Sequence, residues 1–277
     1  MRGLLRNFRI CMLTVLFAVS LYGQERGDTL ALRFLPARHL VHDFVADGAA
    51  HRFSATQLFS PNEVQVGVGG ILPLLGYEVW EMPVQLSTAA SIQARLDPGR
   101  RIAVQSSEFS IDFFVLDIQM SRDLVFRTGM SHSSHHLGDG ELGDSAVFPI
   151  DYSRDEIQVF IIHPSSFFRG QVYAGLRYAY ALVIHRPVHK PVSLQIGVHT
   201  LAWSFSQELS LYGGWDIKVR QELSYGTSQR YEAGLQYTSE DGRILRFSIS
   251  YSGGFDERGQ FFGEHRRGAG VGIIVSL

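Results

Sequence analysis

The stretch Ser153–Arg154–Asp155–Glu156–Ile157–Gln158–Val159–Phe160–Ile161–Ile162–His163 sends Ile157, Val159 and Ile161 to one side and Arg154, Glu156 and Gln158 to the other. Period two marks a strand with one apolar and one polar face, because successive side chains leave an extended chain in opposite directions. The same alternation recurs outward from this segment. Val172, Ala174, Leu176, Tyr178, Tyr180 and Leu182 oppose Gln171, Tyr173, Gly175 and Arg177. Val192, Leu194, Ile196 and Val198 oppose Ser193, Gln195, Gly197 and His199, and Trp215 to Val219 opposes Asp216, Lys218 and Arg220. Tyr231, Ala233, Leu235 and Tyr237 follow, then Leu245, Phe247, Ile249 and Tyr251, and finally Val271, Ile273, Val275 and Leu277.

Strands are expected near 51–57, 63–72, 83–96, 106–120, 122–131, 153–163, 170–183, 192–204, 207–220, 229–239, 243–252 and 268–277. That is about twelve, with ten to fourteen allowed by the looseness of strand ends. Asp241-Gly242 is a hairpin signal, Pro187 to Pro191 a second tight connection, and 24–48 and 132–152 read as loops. A soluble barrel would bury its apolar faces, whereas an outer-membrane barrel turns them to lipid and keeps the polar faces inside. Tyrosines near strand ends, inner faces of glycine, serine and paired charges, and a last strand ending on apolar Leu277 favour the membrane form.

Arg2, Arg6 and Arg9 precede an apolar run from Ile10 to Tyr22, with small residues at Ala18-Val19-Ser20 and Gly23 as cleavage candidates. This pattern predicts a cleaved signal peptide over 1–23 and a single barrel domain over 24–277. Cys11, the one cysteine, lies inside the signal, so no disulfide or cysteine metal site is expected. The net charge of -2 argues against nucleic acid as a partner. No later stretch is apolar enough for a spanning helix, so spanning requires a closed barrel that satisfies every backbone group.

Residues 130–144 carry three histidines, three serines and a Leu137-Gly138-Asp139-Gly140 run. They resemble the central His-x-Ser-Ser-His-Leu-Gly-Asp-type motif of a bacterial envelope family known as domain of unknown function 1207. His132, Ser134, His136, Leu137, Gly138 and Asp139 match it, while His135 stands where a serine is expected. Tyr152-Ser153-Arg154-Asp155-Glu156 resembles the family's next strand start, and Gly259-Gln260-Phe261-Phe262 with Glu264 and Arg266 resembles its C-terminal signature. The resemblance spans roughly 106–277 and implies an envelope barrel of unknown activity, with no catalytic assignment.

Two chemistries compete at this segment. His132, His135, His136, Asp139, Glu141 and Asp144 include metal-ligand types, but the spacing fits no strong motif, and a hydrogen-bonded turn around Asp139 explains them without a metal. Ser134, His136 and Asp139 are the candidates for nucleophilic hydrolysis, which needs a base within reach of the nucleophile and a third group to orient that base. Side chains at i and i+2 on a strand sit ~7 Å apart, so a partner must come from another strand, such as His199 or Glu156. Arg154, Glu156, Gln158, Arg177, Asp216, Lys218, Arg220, Glu232 and Arg246 form an expected charged lumen, either a ligand tunnel or a plug of salt bridges. The 132–144 segment is expected to latch into one mouth, with His132, His136, Asp139 and Gln260 among its contacts and His136 and Asp139 reaching Arg154.

The expected protein is a single antiparallel transmembrane β-barrel of the Gram-negative cell outer membrane, structural or transport in role. An envelope lipid hydrolase with its site near 132–139 is the alternative, and a soluble periplasmic β-protein the third reading. Outer-membrane lipid and, during biogenesis, the barrel-assembly machinery are the expected partners; no cofactor, metal or particular small molecule is implied.

Overall fold

A computed structural model describes residues 32–100, 103–138, 150, 152–167, 169–184 and 191–276. A two-residue strand β1 (Arg33–Phe34) precedes twelve long ones. These are β2 (Phe53–Phe59), β3 (Asn62–Val79), β4 (Met82–Asp97), β5 (Ala103–Ser121), β6 (Leu124–Leu137), β7 (Tyr152–Ser165), β8 (Gly170–Ile184), β9 (Val192–Ser204), β10 (Leu209–Arg220), β11 (Gly226–Thr238), β12 (Ile244–Phe255) and β13 (His265–Ser276). Each pairs antiparallel with its neighbours in sequence, and β13 pairs with β2, so β2–β13 close into a twelve-stranded barrel. Closure leaves no long edge to satisfy. Among the described residues no helix is long and apolar enough to cross a membrane. The expected signal segment, Cys11 and Leu277 lie outside the described residues.

The faces are inverted relative to a soluble barrel. Ile157, Val159, Ile161, Leu176 and Ile196 are exposed on the outside, while Arg154, Glu156, Gln158, Asp216, Glu232 and Arg246 are buried within. One mouth, here the lower, carries connections of two to five residues; the upper carries the longer 138–151 and 256–264 segments. Exposed Tyr178, Tyr180, Tyr231 and Tyr251 lie toward the upper end, and Trp80, Trp203 and Tyr237 toward the lower.

Two expectations are corrected. Residues 132–137 continue strand β6 in full register with β5 and β7 and are not a loop. Leu182 pairs with inward Arg154 rather than sharing the outer face of Tyr178, because a bulge opposite Asp155 and Glu156 inserts Tyr180 and reverses the parity beyond it.

Residues 38–52, of which 38–48 are expected as loop and 51–52 as the start of a strand, run inside the barrel. Val41 and Phe44 join inward Val125, Phe160, Ile162 and Tyr173 in the apolar cluster of the interior, with Phe44 stacked on Tyr173 at 3.7 Å between ring centroids. Above this foot the contacts are polar. Lys218 Nζ donates to Asp47 Oδ1 at 2.6 Å, Gln195 to Asp47 Oδ2 at 3.0 Å, and Arg52 to the Val45 carbonyl at 2.6 Å. Gln171 donates to the carbonyls of His42 and Asp43. Burying polar backbone is tolerable only when each group finds such a partner. The segment is a plug.

Candidate functional site

Strand parity decides where the histidines of the central motif point. Val125, Ser131 and His135 are buried inside, so His132, Ser134 and His136 lie on the outer face with Leu124 and Met130. On β7 the inward placement of Arg154 and Glu156 sends Asp155 outward. His132 and Asp155 are cross-strand partners, with His132 Nδ1 2.6 Å from Asp155 Oδ1. A carboxylate only accepts, so Nδ1 carries the hydrogen, and in the neutral ring Nε2 then keeps its lone pair. Both side chains remain reachable, at 31% and 35% exposure.

Ser134 lies two residues along the same outer face, opposite Ser153. Alternate positions on a strand stand ~7 Å apart, the reason Ser134 is expected to need a partner from another strand. That strand supplies Asp155, while His132, on Ser134's own strand, leans along the strand direction and closes part of the distance. Phe109 and Ile111 are the partners of Ser134 and His132 on β5. Tyr180, the bulged residue, is exposed beside Asp155. A hydroxyl, an imidazole and a carboxylate therefore form a polar island near the upper end of an otherwise apolar surface.

The expected latch has a different geometry. His136 is exposed on the outer face and does not reach Arg154, and Asp139, with Glu141 and Asp144, lies outside the described residues. The inward histidine is His135. Its Nδ1 accepts from the Gly259 backbone N–H at 2.9 Å, its carbonyl accepts from Gln260 Nε2 at 2.7 Å, and its ring meets Tyr152 edge-on. Gln260 also bonds both the carbonyl and the N–H of Ile150. The 3-10 turn Gly259–Phe261 sits between β12 and β13, half the barrel away from β6. The 256–264 segment is thus a strap across the upper mouth. A Cβ at Gly259 would fall 2.1 Å from the Tyr152 ring, so this crossing needs glycine.

Arg154, Glu156 and Arg177 all face the lumen. Arg154 pairs with Glu156 at 2.7 Å and with Glu222 at 3.2 Å, while Arg177 comes no nearer than 3.9 Å to Glu156. His199 and Glu156, considered as partners for Ser134, point inside and are separated from it by the barrel wall. Asp155 was not singled out for this role from the sequence. The signal was present: alternation from Ile157 puts an acid on the apolar face, and alternation from Met130 puts His132 there too.

The family model described as "Protein of unknown function (DUF1207)" matches residues 18–276. The chain belongs to this family. The stretches His132 to His136 and Gly259 to Phe262, far apart in sequence, meet in space where the strap docks on β6. No curated protein matches the sequence. Two solved structures are similar at 12% identity and a TM-score of 0.49: the Salmonella typhi outer membrane phospholipase (OMPLA) dimer with bound calcium, and outer membrane phospholipase A from Escherichia coli. Each alignment covers 82% of this chain, with 90% of the first and 92% of the second.

Proposed function

We propose that this protein is an outer-membrane barrel whose outer face, at β6 and β7, hydrolyses an acyl ester of a membrane lipid. The observation that carries the reading is the outward His132–Asp155 pair with Ser134 on the same face. A charged pair placed toward lipid costs stability without adding to the lumen's own network, and the cost is smallest near the interface, where this pair sits. The membrane setting rests on the exposed aliphatic belt, the aromatic residues toward both ends and the polar interior. Short connections at one mouth and longer ones at the other orient the barrel with the site toward the external leaflet.

In the proposed reaction Ser134 Oγ attacks the ester carbonyl as His132 Nε2 takes its proton. Asp155 holds the ring through Nδ1–H and stabilises the imidazolium. The tetrahedral intermediate collapses, His132 returns the proton to the departing alcohol oxygen, and an acyl-Ser134 ester remains. Water, deprotonated by the same imidazole, releases the fatty acid and restores the serine. A lipid diffusing in the bilayer plane reaches the site without entering the barrel. The plug and the salt-bridged lumen favour this over an open transport pore.

The test is fatty-acid release from phospholipid in mixed micelles by the folded protein. Ser134→Ala and His132→Ala should each abolish it, and Asp155→Asn should lower it by orders of magnitude with the barrel still folded. No fatty-acid release by the intact protein would leave a structural barrel as the reading, and turnover that survives Ser134→Ala would overturn Ser134 as the nucleophile.

A further inference from the structure

Between the plug and the strap lies a chamber of about 220 Å³, floored by Gly48, Ala49 and Arg52 and roofed by residues 255–258 and Gln260. Its lining holds nine arginine and lysine side chains against four carboxylates. Several acids that balance the barrel as a whole, Glu63, Glu222 and Glu232, are absent from that lining and lie behind the arginines they pair with. The chamber wall is therefore cationic.

Most of these cations are engaged. Arg154 and Arg220 share Glu222, Arg52 and Arg230 share Glu232, and Lys218 bridges Asp47 and Glu257. Arg177 is the exception. Among the described residues its guanidinium makes no hydrogen bond; its contacts are Glu156 at 3.9 Å and the Phe160 ring. Its neighbour across to β9 is Ser193, which is buried and whose hydroxyl also has no hydrogen-bond partner among the described residues. Ser193 is in turn paired with Arg220 on β10. Three adjacent strands thus present guanidinium, hydroxyl and guanidinium in one row facing the chamber.

A guanidinium whose nearest carboxylate oxygen stands 3.9 Å away keeps donors available for a ligand, and a planar fork beside a hydroxyl matches the oxygens of a tetrahedral oxyanion. We infer that the chamber binds a phosphoryl oxyanion, seated on Arg177 and Ser193 and flanked by Arg220. The ligand is either free phosphate or the phosphorylated headgroup of a lipid product. This site is separated from the outward Ser134 by the barrel wall and does not depend on hydrolysis there.

The experiment uses the full-length folded protein in zwitterionic detergent. Inorganic phosphate should raise the melting temperature by several degrees over sodium chloride of equal ionic strength, and a calorimetric titration should saturate at one site. Arg177→Gln should weaken phosphate binding at least about tenfold, the loss of one charge-assisted bond, with the phosphate-induced shift read against the variant's own phosphate-free melting temperature. Ser193→Ala should weaken binding less, and serves as the second variant if Arg177→Gln fails to fold. Glycerol 3-phosphate binding tighter than inorganic phosphate would identify a headgroup; the reverse order would identify the free ion. A shift no greater than chloride gives, or unchanged affinity in both variants, overturns the proposal.

Discussion

At the scale of single residues the face on which a side chain emerges decides its role. Val159 is exposed on the outer wall in mid-strand, one position from buried Gln158 and Phe160. Val159→Arg should cost ~2–4 kcal/mol of stability in a bilayer, measured by denaturant titration of the protein folded into phospholipid vesicles; an unchanged midpoint would mean that this face does not meet lipid. Arg154, Glu156 and Gln158 could be read as inward from sequence because alternation is a local property. His132, His135 and His136 cannot be sorted the same way from a sequence in which 132–152 reads as a loop, since parity has no meaning off a strand. Once β6 is seen to run to Leu137, one residue of register separates a catalytic proposal, His132, from a structural anchor, His135.

At the scale of elements the strap and the plug are each held by few, identifiable contacts. His135→Ala removes the acceptor of the Gly259 N–H and the edge-on contact with Tyr152. It should cost about 1–3 kcal/mol and raise hydrogen exchange across 256–264 while the strands stay protected; protection unchanged in that segment would mean the strap is held elsewhere. The plug should loosen in acid. Burial alone would raise the Asp47 carboxyl, but the Lys218 and Arg177 cations outweigh it and hold the group well below the ordinary carboxylate range. His42 is depressed chiefly by burial. Both groups have folded values below their unfolded ones, so both contribute stability above the unfolded value and lose it as pH falls. The His42 contribution declines below about 6.5 and the Asp47 contribution below about 3.9. Exchange in 38–52 should accordingly rise in those two windows; a plug equally protected at pH 7 and pH 3 would contradict this. Lys218→Met should shift the loosening to higher pH by leaving Asp47 buried without its cation.

At the scale of the whole molecule the barrel is closed and occupied. In planar bilayers it should show no stepwise ion conductance, and excision of 39–50 should produce it; conductance in the intact protein would mean the plug leaves a path. The sequence by itself determined the twelve strands, their antiparallel order in chain sequence and which face of most strands is polar. Those properties follow from a period of two along the chain and from connections too short for anything but hairpins. The tertiary structure alone decided that residues 38–52 fill the lumen, that the 256–264 strap docks on β6, and that Asp155 meets His132. Each of these joins residues whose separation in sequence carries no periodic signal: Asp47 and Lys218 are 171 apart, Gly259 and His135 are 124 apart, and His132 and Asp155 are 23 apart. Only closing the sheet sets the cross-strand register, and a lumen that must satisfy its buried charges then selects which segments enter it.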